Sequence, residues 1–459
     1  MADSIDAVHM RSQVFSLLKI AVPLVVAYLA EYLMFVISKV IVGELGYQEL
    51  AAVGIATDLS FELAVVSMAF LSVAGVFIAN SEGAGNRPLA GQHTRQCLWL
   101  ATLLAVPLMF FVWHLPTVLS WLGQDPIVVR LTKPYLHNAV FFLLPLLWFS
   151  VLRSYVSALS HAGIIMVISI LAIPLNYLLT RGLVHGEFGL PGLGVAGAGL
   201  AFSLINWLML VMLVIYIAVH RRFRDYRVFQ QLFRERPDMS LWYDIVKLGL
   251  PVAGLVALEA GLFVAVSVLS GLFGVDALAS YQIIMSWVGV PFVIAFGIAN
   301  ATMVRVAYGM GTQDHFTARR AGIVGIVLGL ILVIALVIVP LNFPQTIVAL
   351  FLQPADPGFQ VVSELVSRLL LLVAFFQVFD GLQSISSHAL RGLKDTFVPL
   401  WIAAIGYWVI GIAGGSLLAF GFGIGVEGLW WGLACGLTIT GTLLARRFLR
   451  LTADQAPSL

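Results

Sequence analysis

Two carboxylates lie deep inside long apolar stretches in the second half of this chain. Glu259 is at the centre of residues 245–279, and Asp380 lies in residues 375–396, well inside the basic end that Arg391 marks. A carboxylate at membrane depth costs about 3 kcal/mol on insertion scales, so an ionisable residue in such a place is a functional-site hypothesis by default. Both acids are therefore candidates for binding a cation inside a membrane.

Neutral oxygens accompany Asp380 on the same helical face. Gln377 precedes it by three residues and Ser384 follows it by four, and residues at these spacings are neighbours on a helix. Carboxylates with neutral oxygens suit a proton relay or a Na⁺ cage equally well. The residue types therefore predict a cation-coupling site at Glu259 and Asp380, and the sequence leaves the choice between Na⁺ and H⁺ open. His388 is the one histidine of interest nearby.

The segment around Glu259 has a counterpart early in the chain. Residues 17–51 match residues 245–279 at a fixed offset of 228, and the identities include Lys19/Lys247, Pro23/Pro251, Glu31/Glu259, Gly43/Gly271, Gly46/Gly274, Leu50/Leu278 and Ala51/Ala279. Glycine-rich turns further along each half repeat at nearly the same offset. Self-similarity at a fixed period indicates a duplication.

Glu31, the counterpart of Glu259, is a weaker candidate for an ion site, because we identify no second carboxylate to join it in the first-half spans. Lys39 follows it by eight residues, or about 12 Å along a helix. The Lys39 ammonium can either reach the membrane interface with its long side chain or pair with an intramembrane acid. The sequence leaves both roles of Lys39 open.

Composition identifies an integral membrane protein. Of the 459 residues, 61% are hydrophobic and 10% are charged, and the mean hydropathy is +1.01, whereas soluble domains carry about 25% charged residues. Apolar stretches long enough to cross a bilayer as helices predict an all-α membrane protein with spans at 14–42, 50–81, 94–114, 130–159, 163–184, 193–219, 242–272, 278–308, 320–342, 361–392, 397–419 and 426–447.

The predicted spans form two sets of six. We predict an N-terminal lobe at 1–219, a polar connection at 220–240 and a C-terminal lobe at 241–459. Because six is even, both halves enter the membrane from the same side, as in parallel repeats with a central cavity between them. Twenty of the 25 Lys and Arg residues fall on one side of these spans, which predicts that both termini are cytoplasmic.

Several function classes have no support in the sequence. The net charge is only +2 and the cations lie in loops, so we expect no nucleic-acid partner. Cys97 and Cys435 lie in different halves and predict neither a disulfide framework nor a thiolate metal site. Neither a GxxxxGK[ST] loop nor an HExxH motif occurs, which disfavours ATP-driven transport and zinc hydrolysis. We therefore expect no enzyme and no cofactor other than a coupling ion.

Three segments of the chain are distinctive: LGLPVAGLVALE at 248–259, FDGLQSISSHALRGLKDT at 379–396 and PLNY at 174–177. Through these segments the chain resembles the multidrug and toxic compound extrusion (MATE) family, in its NorM-like branch. The resemblance implies two six-helix lobes that form a V-shaped cavity. It also implies cation-coupled efflux, in which Glu259 and Asp380 match the family's second-lobe ion-binding acids.

The first lobe departs from the family pattern. Ser38, followed by Lys39, stands where the family usually has an aspartate, and Ala172 stands where an asparagine is usual. Asn176 is retained, and Glu31 occupies a position where a glutamine is common. Of these, Glu31, Ser38, Lys39 and Asn176 stay supporting candidates for a polar cavity. These departures predict that coupling depends on the second lobe.

Together, these features predict a monomeric antiporter in a bacterial inner membrane. We expect it to export amphipathic, often cationic organic compounds in exchange for Na⁺ or H⁺, with small organic molecules and membrane lipid as its partners. The alternative is a flippase for a lipid-linked or amphipathic metabolite. A channel is disfavoured because the halves are duplicated around central acids.

Overall fold

Helices make up almost all of the part of the chain that the computed structural model describes, which is residues 2–343, 348–349 and 359–453. Twelve helices in these ranges are long and apolar enough to cross a membrane. We number them α1 to α12, and their bounds are Ser12–Gly43, Tyr47–Gly83, Arg87–Trp121, Pro126–Ala158, Gly163–His185, Val195–Val219, Met239–Gly271, Asp276–Gly311, His315–Ile338, Phe359–Gly392, Phe397–Gly421 and Val426–Ala453. The prediction of twelve spans is confirmed.

Several helices extend beyond the apolar stretch that predicted them. The third span is predicted at 94–114, whereas α3 covers Arg87–Trp121. The helix begins where the side chain of Asn86 accepts a hydrogen bond from the backbone N–H of Leu89, at 3.1 Å, and an N-cap of this kind satisfies a donor that the first turn leaves free. Hydropathy therefore locates the membrane-buried centre of a helix, and capping sets its end.

The same devices begin corresponding helices in the two halves. Asp314 accepts from the backbone N–H of Thr317 at 2.9 Å before α9, and it lies 228 residues after Asn86. Gly46 precedes α2 with φ 150°, and Gly274 precedes α8 with φ 107°, a region that favours glycine. The sequence repeat is thus a repeat of turn geometry.

Two compact units make up the chain. The first unit is Val26–Ala253, and the second unit combines Gly254–Leu459 with Met1–Val25. The chain passes from one unit to the other shortly after Pro23 in α1 and Pro251 in α7. A proline inside a helix removes one backbone hydrogen bond. The lobe boundaries after residues 219 and 240 stay a prediction.

In the first unit, the polar connection between α6 and α7 is folded onto α3. It contains two short helices, Arg221–Tyr226 and Val228–Gln231. Arg95 of α3 is nearly fully buried; it donates Nη1 to the backbone oxygen of Tyr226 at 3.2 Å and pairs with the carboxylate of Glu235. A buried guanidinium needs such partners, so this connection is held in place along its length.

In the second unit, α10 packs against α8, α9 and α12. Glycines allow the close approach of α12 to α11, where Gly432 lies against Gly411 and Gly415, and a side chain at Gly432 would overlap their backbones. Helix α11 is π-helical over Ile405–Gly414 and again over Leu417–Gly421. Turns of this kind are rare and frequently mark functional sites.

Candidate cation-coupling site

Helix α10 carries the predicted polar stripe into the core of the second unit. Gln377, Asp380 and Ser384 are all buried, with 2%, 3% and 6% of their surfaces exposed. The Gln377 amide donates to the backbone oxygen of Val288 at 3.1 Å. The backbone oxygen of Ser384 lies 2.8 Å from Nδ1 of His388. The stripe therefore lies inside the helix bundle, away from lipid.

Several oxygens around Asp380 are buried without a hydrogen-bond partner. Within the ranges that the structure describes, these acceptors are Oδ1 of Asp380, Oε1 of Gln377, Oε1 of Gln383 and the hydroxyl of Tyr407. Buried polar atoms in native proteins are nearly always satisfied, so each exception needs an explanation. A cation bound by carboxylate, amide and phenol oxygens would satisfy them.

Glu259 belongs to the same electrostatic neighbourhood. It is half-buried on α7 and interacts electrostatically with Arg391 and with Tyr407, and Asp380 also interacts with Tyr407. Tyr407, fully buried in the π-helical part of α11, is therefore the group that both acids share. Tyr407 thus links Glu259 and Asp380 electrostatically, although the two acids are 121 residues apart in the sequence.

Three members of this cluster, Gln383, Arg391 and Tyr407, have no predicted role in the sequence. Arg391 only marks the basic end of its span there, yet its side chain is buried. Tyr407 lies in an apolar run in which nothing marks it. The two π-helical stretches of α11, which set the position of Tyr407, leave no signal in the sequence that we recognise.

The chemistry of the cluster suits a monovalent ion or a proton. No group of three or more His, Cys, Asp or Glu side chains in the described residues is arranged to hold a metal ion. A Na⁺ ion in this cluster would therefore rely on the amide and phenol oxygens beside the carboxylates. A proton would need only a carboxylate. In both cases the bound charge would reduce the cost of keeping Asp380 inside the membrane.

The first unit places Glu31 in a different setting. Arg153 of α4 donates Nη1 to both carboxylate oxygens of Glu31, at 3.1 and 3.2 Å, and the Ser169 hydroxyl lies 3.5 Å from one of them. The sequence interpretation, which sets Glu31 beside Ser38, Lys39 and Ala172, misses this pair. The signal was available, since Arg153 precedes the end of the fourth predicted span by six residues.

The other first-half candidates form two separate contacts. The side-chain amide of Asn176 donates to the Ser38 hydroxyl at 3.1 Å and lies 3.1 Å from the backbone oxygen of Met34. Lys39 pairs with Asp58 of α2 at 3.0 Å. This contact supports the interpretation that the Lys39 ammonium pairs with an acid in the membrane.

The expectation that the first-half spans lack a second carboxylate is wrong. Asp58 and Glu62 both lie in α2, one helical turn apart and exposed. Both positions fall inside the predicted span 50–81. The span was predicted from the apolar character of the whole run. A high average hydropathy hides single polar residues such as these two.

The fold and the buried acids together define a polytopic helical membrane protein. The MatE family model matches residues 23–180 and 251–417, more than half of the chain, and the chain belongs to this family. The two matches begin at Pro23 and Pro251, which are separated by the 228-residue offset of the internal repeat. The family resemblance found in the sequence is confirmed.

Curated bacterial relatives cover nearly the whole chain. A Mesorhizobium japonicum protein named "Probable multidrug resistance protein NorM" is 33% identical over 442 residues, covering 96% of this chain and 94% of its own. A protein of the same name from Bradyrhizobium diazoefficiens is 35% identical over 441 residues, covering 96% and 94%. The "Multidrug resistance protein NorM" of Burkholderia vietnamiensis is 34% identical over 435 residues, covering 94% and 92%.

Solved structures share the fold at lower identity. A eukaryotic MATE transporter superposes with a TM-score of 0.84 at 22% identity, over 97% of this chain and 98% of that one. An outward-facing multidrug resistance MATE transporter of the MOP superfamily gives a TM-score of 0.87 at 18% identity, over 97% of each chain. The predicted fold class is thereby confirmed.

Proposed function

We propose that this protein exports amphipathic organic cations in exchange for inward movement of Na⁺ or H⁺. The observation that carries the proposal is the buried carboxylate of Asp380, which has an unpartnered oxygen and shares Tyr407 with Glu259. A charge at such a site is stabilised by a bound cation. The names of the bacterial relatives, all multidrug resistance proteins, support the export of varied compounds.

Coupling follows from differential ion affinity. An ion that binds the acid cluster more tightly in one conformation than in another shifts the population toward the first. If release of the ion favours the conformation that takes up substrate from the cell, inward ion flow drives outward substrate flow. Asp380 and Glu259 are the residues that would hold the ion, and Tyr407 and Gln377 would complete its surroundings.

The first unit supports a preference for cationic substrates. Asp58, with 63% of its side chain exposed, and Glu62, also exposed, lie in a helix that crosses the membrane. Intramembrane carboxylates almost always face a water-filled cavity or the bundle interior. Because Lys39 pairs with Asp58, these three side chains together carry one net negative charge, which would attract positively charged compounds and repel anions.

We place the protein in a bacterial inner membrane as a monomer, with both termini in the cytoplasm and membrane lipid around its spans. The bias of Lys and Arg toward one side of the spans supports this orientation, and the curated relatives reported above are bacterial. Flux of the coupling ion down its gradient into the cell would then power export.

Transport by reconstituted protein tests the proposal. Vesicles that contain only this protein are given an imposed Na⁺ gradient or pH gradient, and the movement of a cationic dye is followed. We expect Glu259→Gln and Asp380→Asn to abolish gradient-driven dye movement without loss of folding. Glu364→Gln is the matched control, because Glu364 also lies on α10 but is exposed and pairs with Arg368; it should transport normally.

Three results would contradict the proposal. Gradient-driven transport by both Glu259→Gln and Asp380→Asn at the wild-type rate would remove the ion-site assignment. Dye movement that ignores both gradients would favour a channel. Translocation of a labelled lipid in the absence of dye transport would favour the flippase alternative.

A further inference from the structure

In the ion pair between Glu31 and Arg153, the guanidinium satisfies both oxygens of the carboxylate. One nitrogen of Arg153 bridges both oxygens of Glu31, at 3.1 and 3.2 Å. The guanidinium also lies over the rings of Tyr28 and Phe149, at 4.8 and 5.2 Å from their centroids. Exposed fractions of the two side chains are 8% for Arg153 and 27% for Glu31. This geometry leaves neither carboxylate oxygen without a donor.

Side chains from three helices surround the Glu31–Arg153 pair. Tyr28 comes from α1 itself, Arg153 and Phe149 come from α4, and the Ser169 hydroxyl of α5 lies 3.5 Å from Glu31 Oε1. Lys39 is the charged residue that follows Glu31 in α1, and its ammonium is paired with Asp58. The positive charge that faces Glu31 from the packed helices is therefore the guanidinium of Arg153.

The internal repeat allows the Glu31–Arg153 pair to be compared with the acid cluster of the second unit. Glu31 and Glu259 occupy equivalent positions at the 228-residue offset. In the second unit, the acid cluster retains an oxygen of Asp380 that no hydrogen bond satisfies, together with amide and phenol oxygens in the same condition. In the first unit, the equivalent acid is already neutralised by a cation that belongs to the chain.

We propose that Arg153 is a tethered replacement for the coupling ion in the first unit. Its guanidinium occupies the place beside Glu31 that a Na⁺ ion or a proton would otherwise take, and it thereby limits ion coupling to the acids of the second unit. The inference rests on the proposed function, since it specifies which of the two units exchanges ions. Arg153 is a positioning residue, because it acts through Glu31.

The number of ions moved per substrate tests this assignment. In proteoliposomes, the substrate gradient that halts net flux against a fixed Na⁺ or pH gradient gives the ion-to-substrate ratio. We expect Arg153→Gln to raise the ratio by one ion, because Glu31 then needs an exchangeable cation. We expect the double variant Glu31→Gln/Arg153→Gln to return to the wild-type ratio, since it removes the acid and the guanidinium together. Arg153→Lys should also keep the wild-type ratio.

The outcomes separate this inference from the proposed function. A wild-type protein without gradient-driven flux would defeat both. A coupled wild-type protein with the same ratio in Arg153→Gln would overturn the role of Arg153 and leave coupling intact. If Arg153→Gln does not fold, the double variant decides alone: a ratio below that of the wild type would show that Glu31 carries an ion in the native protein, and an unchanged ratio supports the inference.

Discussion

The acids of the two units differ in how completely they are satisfied. Glu31 has both oxygens within 3.2 Å of a guanidinium nitrogen, whereas Asp380 keeps an unpartnered oxygen although it is more deeply buried. Both descend from spans of a duplicated chain. The difference teaches that an intramembrane acid suits ion exchange when one of its oxygens is left without a hydrogen-bond donor, as in Asp380.

Energetics support the same distinction. Removing one member of a buried ion pair costs about 3–5 kcal/mol, because the other charge is left uncompensated. The Glu31–Arg153 pair therefore holds α1 and α4 together whatever the ion gradient. A buried acceptor that lacks a partner costs about 1–3 kcal/mol, and a bound cation would recover that energy at Asp380. The first site therefore resists the loss of either charge, whereas the second would gain from a bound cation.

Two buried tyrosines offer the sharpest test of the comparison. Tyr407 in the second unit and Tyr155 in the first are both fully buried, and neither hydroxyl has a hydrogen-bond partner in the described parts of the chain. We expect Tyr407→Phe to weaken the affinity for the coupling ion by about tenfold, or about 1.4 kcal/mol, because an oxygen near both acids is lost. The measurement is the dependence of transport rate on Na⁺ concentration and on pH.

Tyr155→Phe is the matched control for that experiment. It removes the same hydroxyl from the first unit, whereas the proposed ion-binding acids Glu259 and Asp380 belong to the second, so the ion dependence should stay at the wild-type value. Thermal unfolding in detergent should be nearly unchanged for both variants, because each removes a buried hydroxyl without breaking a hydrogen bond. Equal ion dependence in Tyr407→Phe and the wild type would erase the distinction between the two units.

A second comparison lies within α1. Lys39–Asp58 and Arg153–Glu31 have nearly equal separations, 3.0 and 3.1 Å, but the Lys39 and Asp58 side chains are 35% and 63% exposed. Exposed pairs typically contribute 1 kcal/mol or less. We therefore expect Lys39→Met to lower the free energy of unfolding by at most about 1 kcal/mol. A loss of about 3 kcal/mol or more, measured by unfolding in detergent, would show that exposure does not separate the two pairs.

The smallest expected effect concerns the helix caps. Hydrogen bonds from Thr317 hold the pKa of Asp314 below its usual value, so the charged cap stabilises α9 above about pH 4, the ordinary pKa of a free aspartate. That contribution is lost as pH falls through the lowered pKa. Asp314→Asn should remove this acid sensitivity and change stability at pH 7 by about 0.5 kcal/mol or less.

Asn86 is the natural control for the cap prediction. It holds the equivalent place before α3 and already has a neutral amide, so Asn86→Asp should add acid sensitivity where none exists. The measurement is thermal unfolding between pH 3 and pH 7. Parallel pH profiles for Asp314→Asn and the wild type would contradict the assignment of the cap.

Average hydropathy and residue spacing were sufficient for the helices and for the stripe on α10. Twelve apolar runs predicted twelve helices because membrane burial makes nearly every residue of a span apolar. The spacing of Gln377, Asp380 and Ser384 predicted one face because helical neighbours recur at three and four residues. These properties are local, so a single sequence carries them.

The partners of the acids could not be predicted in the same way. Arg153 and Glu31 are separated by 122 residues, and only the packing of α4 against its neighbours brings them together. Tyr407 depends on a helix type that its apolar residues do not distinguish from an α-helix. Contacts between distant segments therefore determine that Glu31 is paired with a guanidinium and that Asp380 retains an unpartnered oxygen.

The π-helical stretches of α11 restrict how this chain can vary in length. A π-helical turn holds more residues than an α-helical turn, so α11 has absorbed extra residues without a loop. Losing one residue between Tyr407 and Gly415 while the wide turns are kept would rotate one of them by about a quarter turn relative to the other. Tyr407 would leave the acids, or Gly415 would leave Gly432. A gap in this helix among related chains would signal a rebuilt site, whereas a gap in the connection at 186–194 would signal little.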